Sequence, residues 1–201
     1  MKTIVFASMN NKKAEEIKRM APEEIKVLCL KDIPEAEGIP QAEENGRSFI
    51  ENAKIKAKYW AEKLNMPVLA EDSGIEIYAL QGYPGVYTKR CIEHLCPGSK
   101  VDVDNPSELY PTLLRLMAES GNSTKAAKWV SSMVYIDGNK YLYASEHIFG
   151  EMCECSGKRQ FGFDQYFRPI SSTKTLSEMT PEEKDKIGPR LKAFNRIIRQ
   201  L

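Results

Sequence analysis

The 201-residue chain has 29 Lys and Arg residues against 28 Asp and Glu residues, which leaves a formal net charge of +1. A near-neutral chain has no general attraction to polyanions, so nucleic-acid binding would need a local basic patch. The chain is 42% hydrophobic and can bury a substantial core, but it has no bilayer-length apolar run and no signal-peptide pattern, so we expect a soluble, cytosolic protein that does not bind membranes.

The first third of the chain alternates between strand and helix patterns. Apolar, β-rich runs at residues 3–7, 27–30 and 68–70 predict strands. Helical spacing of apolar residues predicts helices over residues 12–20 and 48–64. This β-α-β-α-β order is typical of an α/β sheet covered by helices.

The remainder of the chain contains longer strands and further helices. The pattern predicts a helix over residues 106–120 and a hairpin over residues 129–149, turned at Asp137-Gly138-Asn139. It predicts another strand over residues 152–155, a helix that starts at Thr180-Pro181, and a last helix that ends near Leu201. Because the sequence shows no repeat or linker, we expect one α/β domain over residues 1–201. We expect this domain to consist of a mixed twisted sheet with covering helices. Its two lobes would flank an active-site groove.

An acidic pair, Glu71-Asp72, follows the apolar run at residues 68–70 and precedes a small Ser73-Gly74 turn. Carboxylates at a strand end must stay solvated or find a cation. A pair that faces a cleft offers the oxygen ligands that Mg²⁺ prefers. The alternative is a solvated exit from the strand, for which Asp and Gly are also suited.

A polar corner lies where the first strand meets the first helix. Ser8, Asn10, Lys12 and Lys13 sit at this junction, where backbone N–H groups and the helix dipole favour an anion such as phosphate. The spacing and the lack of glycines differ from a Walker loop. A capped basic helix on the surface remains the alternative.

Further basic residues are scattered along the chain: Lys56, Lys89, Arg90, Lys184 and Arg190. Each cation alone is typical of a solvated surface. Around one acidic pair, however, they would suit a pocket for Mg²⁺ and a polyphosphate.

Cysteine and histidine patterns favour no other site. The five cysteines are Cys29, Cys91, Cys96, Cys153 and Cys155. Their odd number argues against a disulfide framework, and their spacing does not match a zinc site. The two histidines, His94 and His147, have no matching nucleophile nearby for a Ser-His-Asp or Cys-His arrangement.

Seven segments in order along nearly the whole chain resemble the inosine triphosphate pyrophosphatase family. They are FASMNNKK at 6–13, DIPE at 32–35, FIENAKIKA at 49–57, LAEDSGI with YPGVY at 69–75 and 83–87, QFGFD at 160–164, and LSEM through EK at 176–184. The resemblance implies hydrolysis of non-standard purine nucleoside triphosphates such as ITP, dITP and XTP to monophosphate and pyrophosphate. It also implies a two-lobed α/β fold, a Mg²⁺ cofactor and a homodimer.

The same resemblance assigns roles to residues. Asp72 would be the catalytic carboxylate that positions or deprotonates water, with Mg²⁺ held by Glu35 and Asp72, and Glu71 would support it or contact the metal. The phosphates would be bound by Ser8, Asn10, Lys13, Lys56, Ser73 and Lys89. The base and sugar would be bound by Phe161, Gly162, Phe163, Asp164, Lys184 and Arg190, with Phe163 as a stacking face.

Three departures from the family pattern concern substrate selectivity. Gly188-Pro189-Arg190 replaces Ser-His-Arg, so a histidine contact with the base is lost. Met9 replaces the glycine of the phosphate loop, and Gln165 replaces a proline. We therefore expect a pyrophosphatase with altered base preference. A nucleotide-binding module without turnover is the alternative, while single-stranded nucleic-acid binding has little support from the net charge.

Overall fold

The structure is a computed structural model that describes residues 1–91, 106–153 and 162–201. Within these residues the chain forms six β-strands and five α-helices. In chain order they are β1 (Lys2–Phe6), α1 (Asn11–Met20), β2 (Ile25–Cys29), α2 (Phe49–Leu64), β3 (Val68–Ile77), α3 (Pro106–Glu119), β4 (Ala126–Asp137), β5 (Lys140–Met152), β6 (Phe167–Pro169), α4 (Pro181–Ile187) and α5 (Pro189–Ile198).

The six strands form one mixed sheet in the order β2-β1-β3-β4-β5-β6. Strand β1 pairs in parallel with β2 and β3, and β5 pairs antiparallel with β6. Strands β4 and β5 are joined by two residues, a connection that permits only antiparallel pairing. Gly138 in this turn has φ +54°, which favours glycine. The predicted α/β class and the central hairpin are confirmed.

The chain divides into two compact units. Unit 1 consists of Met1–Asp72, Ser131–Glu146 and Arg190–Leu201, and unit 2 consists of Ser73–Val130 and His147–Pro189. The predicted groove between two lobes of a single domain stays a prediction. In the part of the chain that the structure describes, no helix is both long enough and apolar enough to cross a membrane.

Unit 1 buries both faces of its strands. Successive side chains of a strand point to opposite faces. Phe6 packs in a cluster with Ile17 of α1 and Phe194 of α5, while its neighbour Val5 packs in a cluster with Trp60 of α2. Helices α1 and α5 therefore contribute to one layer and α2 to the other, as expected for parallel strands buried on both sides.

Unit 2 has its own hydrophobic core. Ile75 of β3, Leu113 of α3 and Phe167 of β6 are fully buried in one cluster. Tyr110 and Tyr166 stack with ring centroids 4.2 Å apart and an interplanar angle of 8°. This core anchors the short helix Gly162–Tyr166, which carries part of the predicted base-binding segment.

Two predicted element boundaries are wrong and one is confirmed. Strand β3 does not end before Glu71 but continues through Asp72 to Ile77. The predicted separate strand at residues 152–155 is also wrong at its start, because Met152 is the last residue of β5; residues 154 and 155 lie outside the described residues. Helix α4 starts where predicted, with Thr180 as its N-cap in a capping box.

Candidate active site

The corner between β1 and α1 is built by the side chain of Asn10. Its Oδ1 accepts hydrogen bonds from the backbone N–H groups of Lys12 at 3.0 Å and Lys13 at 3.3 Å. The backbone N–H of Asn10 donates to Ser8 Oγ at 3.2 Å. The side chain of Met9 is 63% exposed, and Met9 is not among the residues with positive φ. Methionine therefore fits this predicted phosphate loop without backbone strain.

On strand β3, Glu71 is fully buried within a cluster of polar and charged groups. Its Oε1 accepts hydrogen bonds from Ser131 Oγ at 2.7 Å and Arg190 Nε at 2.9 Å. The Nζ of Lys13 lies 3.2 Å from Oε2. The Arg190 guanidinium also donates to Glu16. Two acids and two bases thus offset one another around the buried Glu71, which is the condition under which a buried charge is tolerated.

The pKa values in this cluster follow from burial and charge. Burial acts to raise the pKa of Glu71, but the charges of Arg190 and Lys13 outweigh it and lower that pKa to about 2. Burial lowers the pKa of Lys13, an effect that the charge of Glu71 partly offsets. Burial also acts to lower the pKa of Arg190, yet Glu71 and Glu16 raise it above its ordinary value. Glu71 is therefore ionised at neutral pH.

Asp72, the next residue of β3, has a different set of neighbours. Its Oδ2 accepts a hydrogen bond from Asn52 Nδ2 at 3.0 Å, and Lys56 Nζ lies 3.5 Å from its Oδ1. Lys56 Nζ also donates to Glu44 Oε2 at 2.8 Å. Burial raises the pKa of Asp72 despite the opposing charges of Lys56 and Lys13. This carboxylate is consequently a better proton acceptor than an exposed aspartate.

The three carboxylates predicted to hold a metal do not converge. Because successive strand residues point to opposite faces, Glu71 contacts groups from α1 and α5, and Asp72 contacts groups from α2. Glu35 is exposed in the short helix Pro34–Ala36. Within residues 1–91, 106–153 and 162–201, no three His, Cys, Asp or Glu side chains are grouped to hold a metal. Lys56 instead forms ion pairs with both Asp72 and Glu44.

Sequence reasoning missed Glu44 and Asn52. Glu44 lies in the acidic loop that precedes α2. Asn52 is a polar residue on the apolar face of α2, four residues before Lys56. Residues four apart share a helix face, so this spacing could have oriented Lys56 and marked Asn52 as its neighbour.

The other predicted phosphate ligands belong to unit 2. Ser73 follows Asp72 on β3 and is half-buried. Lys89 is exposed in the short helix Gly85–Arg90. Their predicted contacts with phosphate stay predictions.

Among the predicted base-binding residues, the structure pairs Asp164 with Lys184. Lys184 Nζ donates to Asp164 Oδ2 at 2.5 Å. Phe163 is only 2% exposed and packs in the core of unit 2, so the predicted stacking face is covered by neighbouring side chains. Gly162 begins the short helix Gly162–Tyr166, and Phe161 lies outside the described residues. Arg190 belongs to unit 1, where it pairs with Glu71 and Glu16.

Three of the five cysteines lie within the described residues. Cys29 and Cys91 are buried, and Cys153 is half-buried. Cys96, Cys155 and His94 lie outside the described residues. His147 is exposed on β5, where its ring contacts Phe149 edge to face.

Unit 1 thus combines a proton-accepting carboxylate with two lysines. Lys56 is close enough to Lys13 to lower the pKa of Lys13, and both lysines act to lower the pKa of Asp72. A polyphosphate needs cations to offset its charge, and hydrolysis needs a group that takes a proton from water. The arrangement offers both within unit 1.

Comparisons with known proteins identify the family. The model of the Ham1 family matches residues 4–200. A dITP/XTP pyrophosphatase from Aquifex aeolicus is 36% identical, covering 98% of this chain and 96% of that protein. The one from Thermus thermophilus is 34% identical over 97% of this chain and 89% of its own length. A solved HAM1 protein from Coxiella burnetii has a TM-score of 0.84 at 29% identity, with 100% of both chains covered. The chain therefore belongs to the Ham1 family.

Proposed function

We propose that the protein hydrolyses non-standard purine nucleoside triphosphates, such as dITP, XTP and ITP, to the monophosphate and pyrophosphate. The observation that carries this proposal is the half-buried carboxylate of Asp72, which is held by Asn52 and lies beside Lys56. The dITP/XTP pyrophosphatases that the chain matches over nearly its whole length supply the reaction and the substrate class.

In this reaction, Asp72 accepts the proton of the attacking water, a role that suits a carboxylate whose pKa is raised by burial. Lys13 and the capped N-terminus of α1 bind phosphate oxygens, with Ser8 and Asn10 shaping the loop. Lys56 offsets the negative charge near the scissile phosphoanhydride. Glu71 keeps Lys13 near the corner through their ion pair.

The donor set beside Lys56 fits Mg²⁺. Asp72 and Glu44 offer carboxylate oxygens on the two sides of one ammonium group, and Mg²⁺ is commonly bound by one or two carboxylates together with substrate phosphates and water. These two residues would hold the ion. When bound, Mg²⁺ would polarise the phosphoryl oxygens and neutralise charge on the leaving pyrophosphate.

The base preference is proposed to be broader than for ITP and XTP alone. Proline at position 189 has no side-chain donor, and the Arg190 guanidinium already pairs with Glu71 and Glu16. Base selection then depends on fewer hydrogen bonds, which lowers the discrimination between purines. A cytoplasmic homodimer without affinity for nucleic acid is proposed on the resemblance, and sedimentation velocity tests the dimer.

Product analysis on a panel of ITP, dITP, XTP, GTP, ATP and dUTP, with and without Mg²⁺, tests the function. We expect the monophosphate and pyrophosphate as the only products, from ITP, dITP and XTP first, with measurable turnover of GTP. A strict preference for ITP and XTP would contradict the broadened selectivity. Nucleotide binding without pyrophosphate release would instead support a module that has lost turnover.

A further inference from the structure

Asn52 connects two parts of the candidate active site that are distant in sequence. We propose that Asn52 is a positioning residue, which sets the distance between Asp72 and the loop that carries Glu44. The inference rests on the proposed function, because it explains how the two carboxylates beside Lys56 are oriented for a metal and a phosphate.

Both ends of the Asn52 amide are used. Its Oδ1 accepts a hydrogen bond from the backbone N–H of Gly46 at 2.8 Å, and its Nδ2 donates to Asp72 Oδ2 at 3.0 Å. The residue is only 1% exposed, so water cannot readily replace either partner. An amide offers a donor and an acceptor at once, a combination that neither a carboxylate nor an alkyl side chain provides.

The approach of the loop to α2 depends on the glycine at position 46. A Cβ at this position would lie 2.7 Å from Asn52 Oδ1 and 2.8 Å from the Cβ of Glu51. Such distances require the loop or the helix to shift. The loop therefore reaches the Asn52 amide only because residue 46 lacks a side chain.

The charged groups depend on the same contact. Lys56 lies one helical turn beyond Asn52 and bridges Glu44 and Asp72 with its ammonium group. Without the Asn52 amide, Asp72 loses a hydrogen bond that fixes its rotation, and the loop loses its backbone tie at Gly46, two residues after Glu44. The two carboxylates would then no longer face one cation from fixed directions, and a metal ion that needs both would bind less tightly.

Asn52→Ala tests this role, with Glu51→Ala as the matched control. Glu51 also ties the loop to α2, because its Oε2 accepts a hydrogen bond from the backbone N–H of Arg47 at 2.6 Å, but its carboxylate is not bonded to Asp72. We would measure Mn²⁺ affinity by water-proton relaxation with the α,β-methylene analogue of ITP bound, and kcat and KM separately at saturating Mg²⁺. We expect Asn52→Ala to weaken Mn²⁺ binding and lower kcat by about 10- to 100-fold, with KM nearly unchanged, while Glu51→Ala stays near the unaltered protein.

Gly46→Ala provides a second route if Asn52→Ala folds poorly, as judged by circular dichroism. It removes no functional atom but forces the loop away from Asn52, so we expect the same losses in Mn²⁺ affinity and kcat. Equal Mn²⁺ affinity and kcat in Asn52→Ala and Glu51→Ala would overturn the inference, as would undetectable Mn²⁺ binding to the unaltered protein. Failure of the proposed function is a different result, namely no pyrophosphate release by the unaltered protein.

Discussion

The pKa values of Glu71 and Asp72, two neighbouring carboxylates on β3, are shifted in opposite directions. The charges of Arg190 and Lys13 outweigh burial and keep Glu71 ionised, with a pKa of about 2. Burial instead dominates at Asp72 and raises its pKa. Environments that separate the pKa values of two acids also separate their roles. In the proposed reaction, Glu71 is a fixed counter-ion and Asp72 is the proton acceptor.

Replacing Glu71 should reveal this counter-ion through the pH dependence of stability. The pKa of Glu71 is lowered from 4.5 to about 2, so its stabilisation is complete above pH 4.5 and is lost as the pH falls toward 2. We expect Glu71→Gln to lower the free energy of unfolding by about 3 kcal/mol at pH 7. Urea denaturation in EDTA should show that this difference narrows below pH 4.5. A difference that is constant with pH would contradict the assignment.

Lys56 should compete with a metal ion for the same two carboxylates. Its ammonium group lies 2.8 Å from Glu44 and 3.5 Å from Asp72, and two cations at one site repel each other. Lys56→Met should therefore increase Mn²⁺ affinity severalfold without nucleotide and raise KM for the triphosphate. Lys58→Met, which alters an exposed lysine of the same helix, serves as the control. Weaker Mn²⁺ binding in Lys56→Met would contradict the competition.

At the scale of elements, local sequence patterns predicted the first strand, turn and helix, but not the strand segment that carries Glu71 and Asp72. The strand, polar turn and helix at residues 3–20 could be predicted from the sequence, because Asn10 is a good N-cap and the apolar spacing is helical. The extension of β3 through Glu71 and Asp72 could not be predicted, because an acidic segment followed by Ser and Gly is typical of a turn. Hydrogen bonds from Ser131 of β4 and Arg190 of α5 to the Glu71 carboxylate override that local preference for a turn.

The pairing of β5 with β6 gives a prediction at the same scale. Gly150 lies opposite Pro169, and a Cβ at Gly150 would meet the carbonyl oxygen of Arg168 and the Phe167 ring, the latter at 2.5 Å. We expect Gly150→Ala to lower the free energy of unfolding by about 1–3 kcal/mol through overpacking. Urea denaturation measures this loss, and Tyr143→Ala, at an exposed position of β5, should change stability much less. An equal effect of both substitutions would refute the close approach.

At the scale of the molecule, the candidate site gathers residues that are far apart in sequence. Arg190 meets Glu71, and Asp72 meets Asn52 and Lys56. No local sequence pattern predicts these long-range contacts. Only the family resemblance assigned the segments that make them to one site. It did not identify Glu44, because the contact of that acid with Lys56 depends on how closely its loop approaches α2. Unit 2 holds its own acid–base pair, Asp164 and Lys184, in the predicted base-binding segment.

The reaction centre is best tested by pyrophosphate release from ITP at saturating Mg²⁺ in four variants. They are Asp72→Asn, Glu44→Gln, Glu35→Gln and, as a neighbouring control, Glu43→Gln. We predict a loss in kcat of at least about 100-fold for Asp72→Asn, a clear loss for Glu44→Gln, and nearly unchanged rates for the other two. Full activity in Asp72→Asn, or a loss in Glu35→Gln with Glu44→Gln unaffected, would contradict a centre built around Lys56.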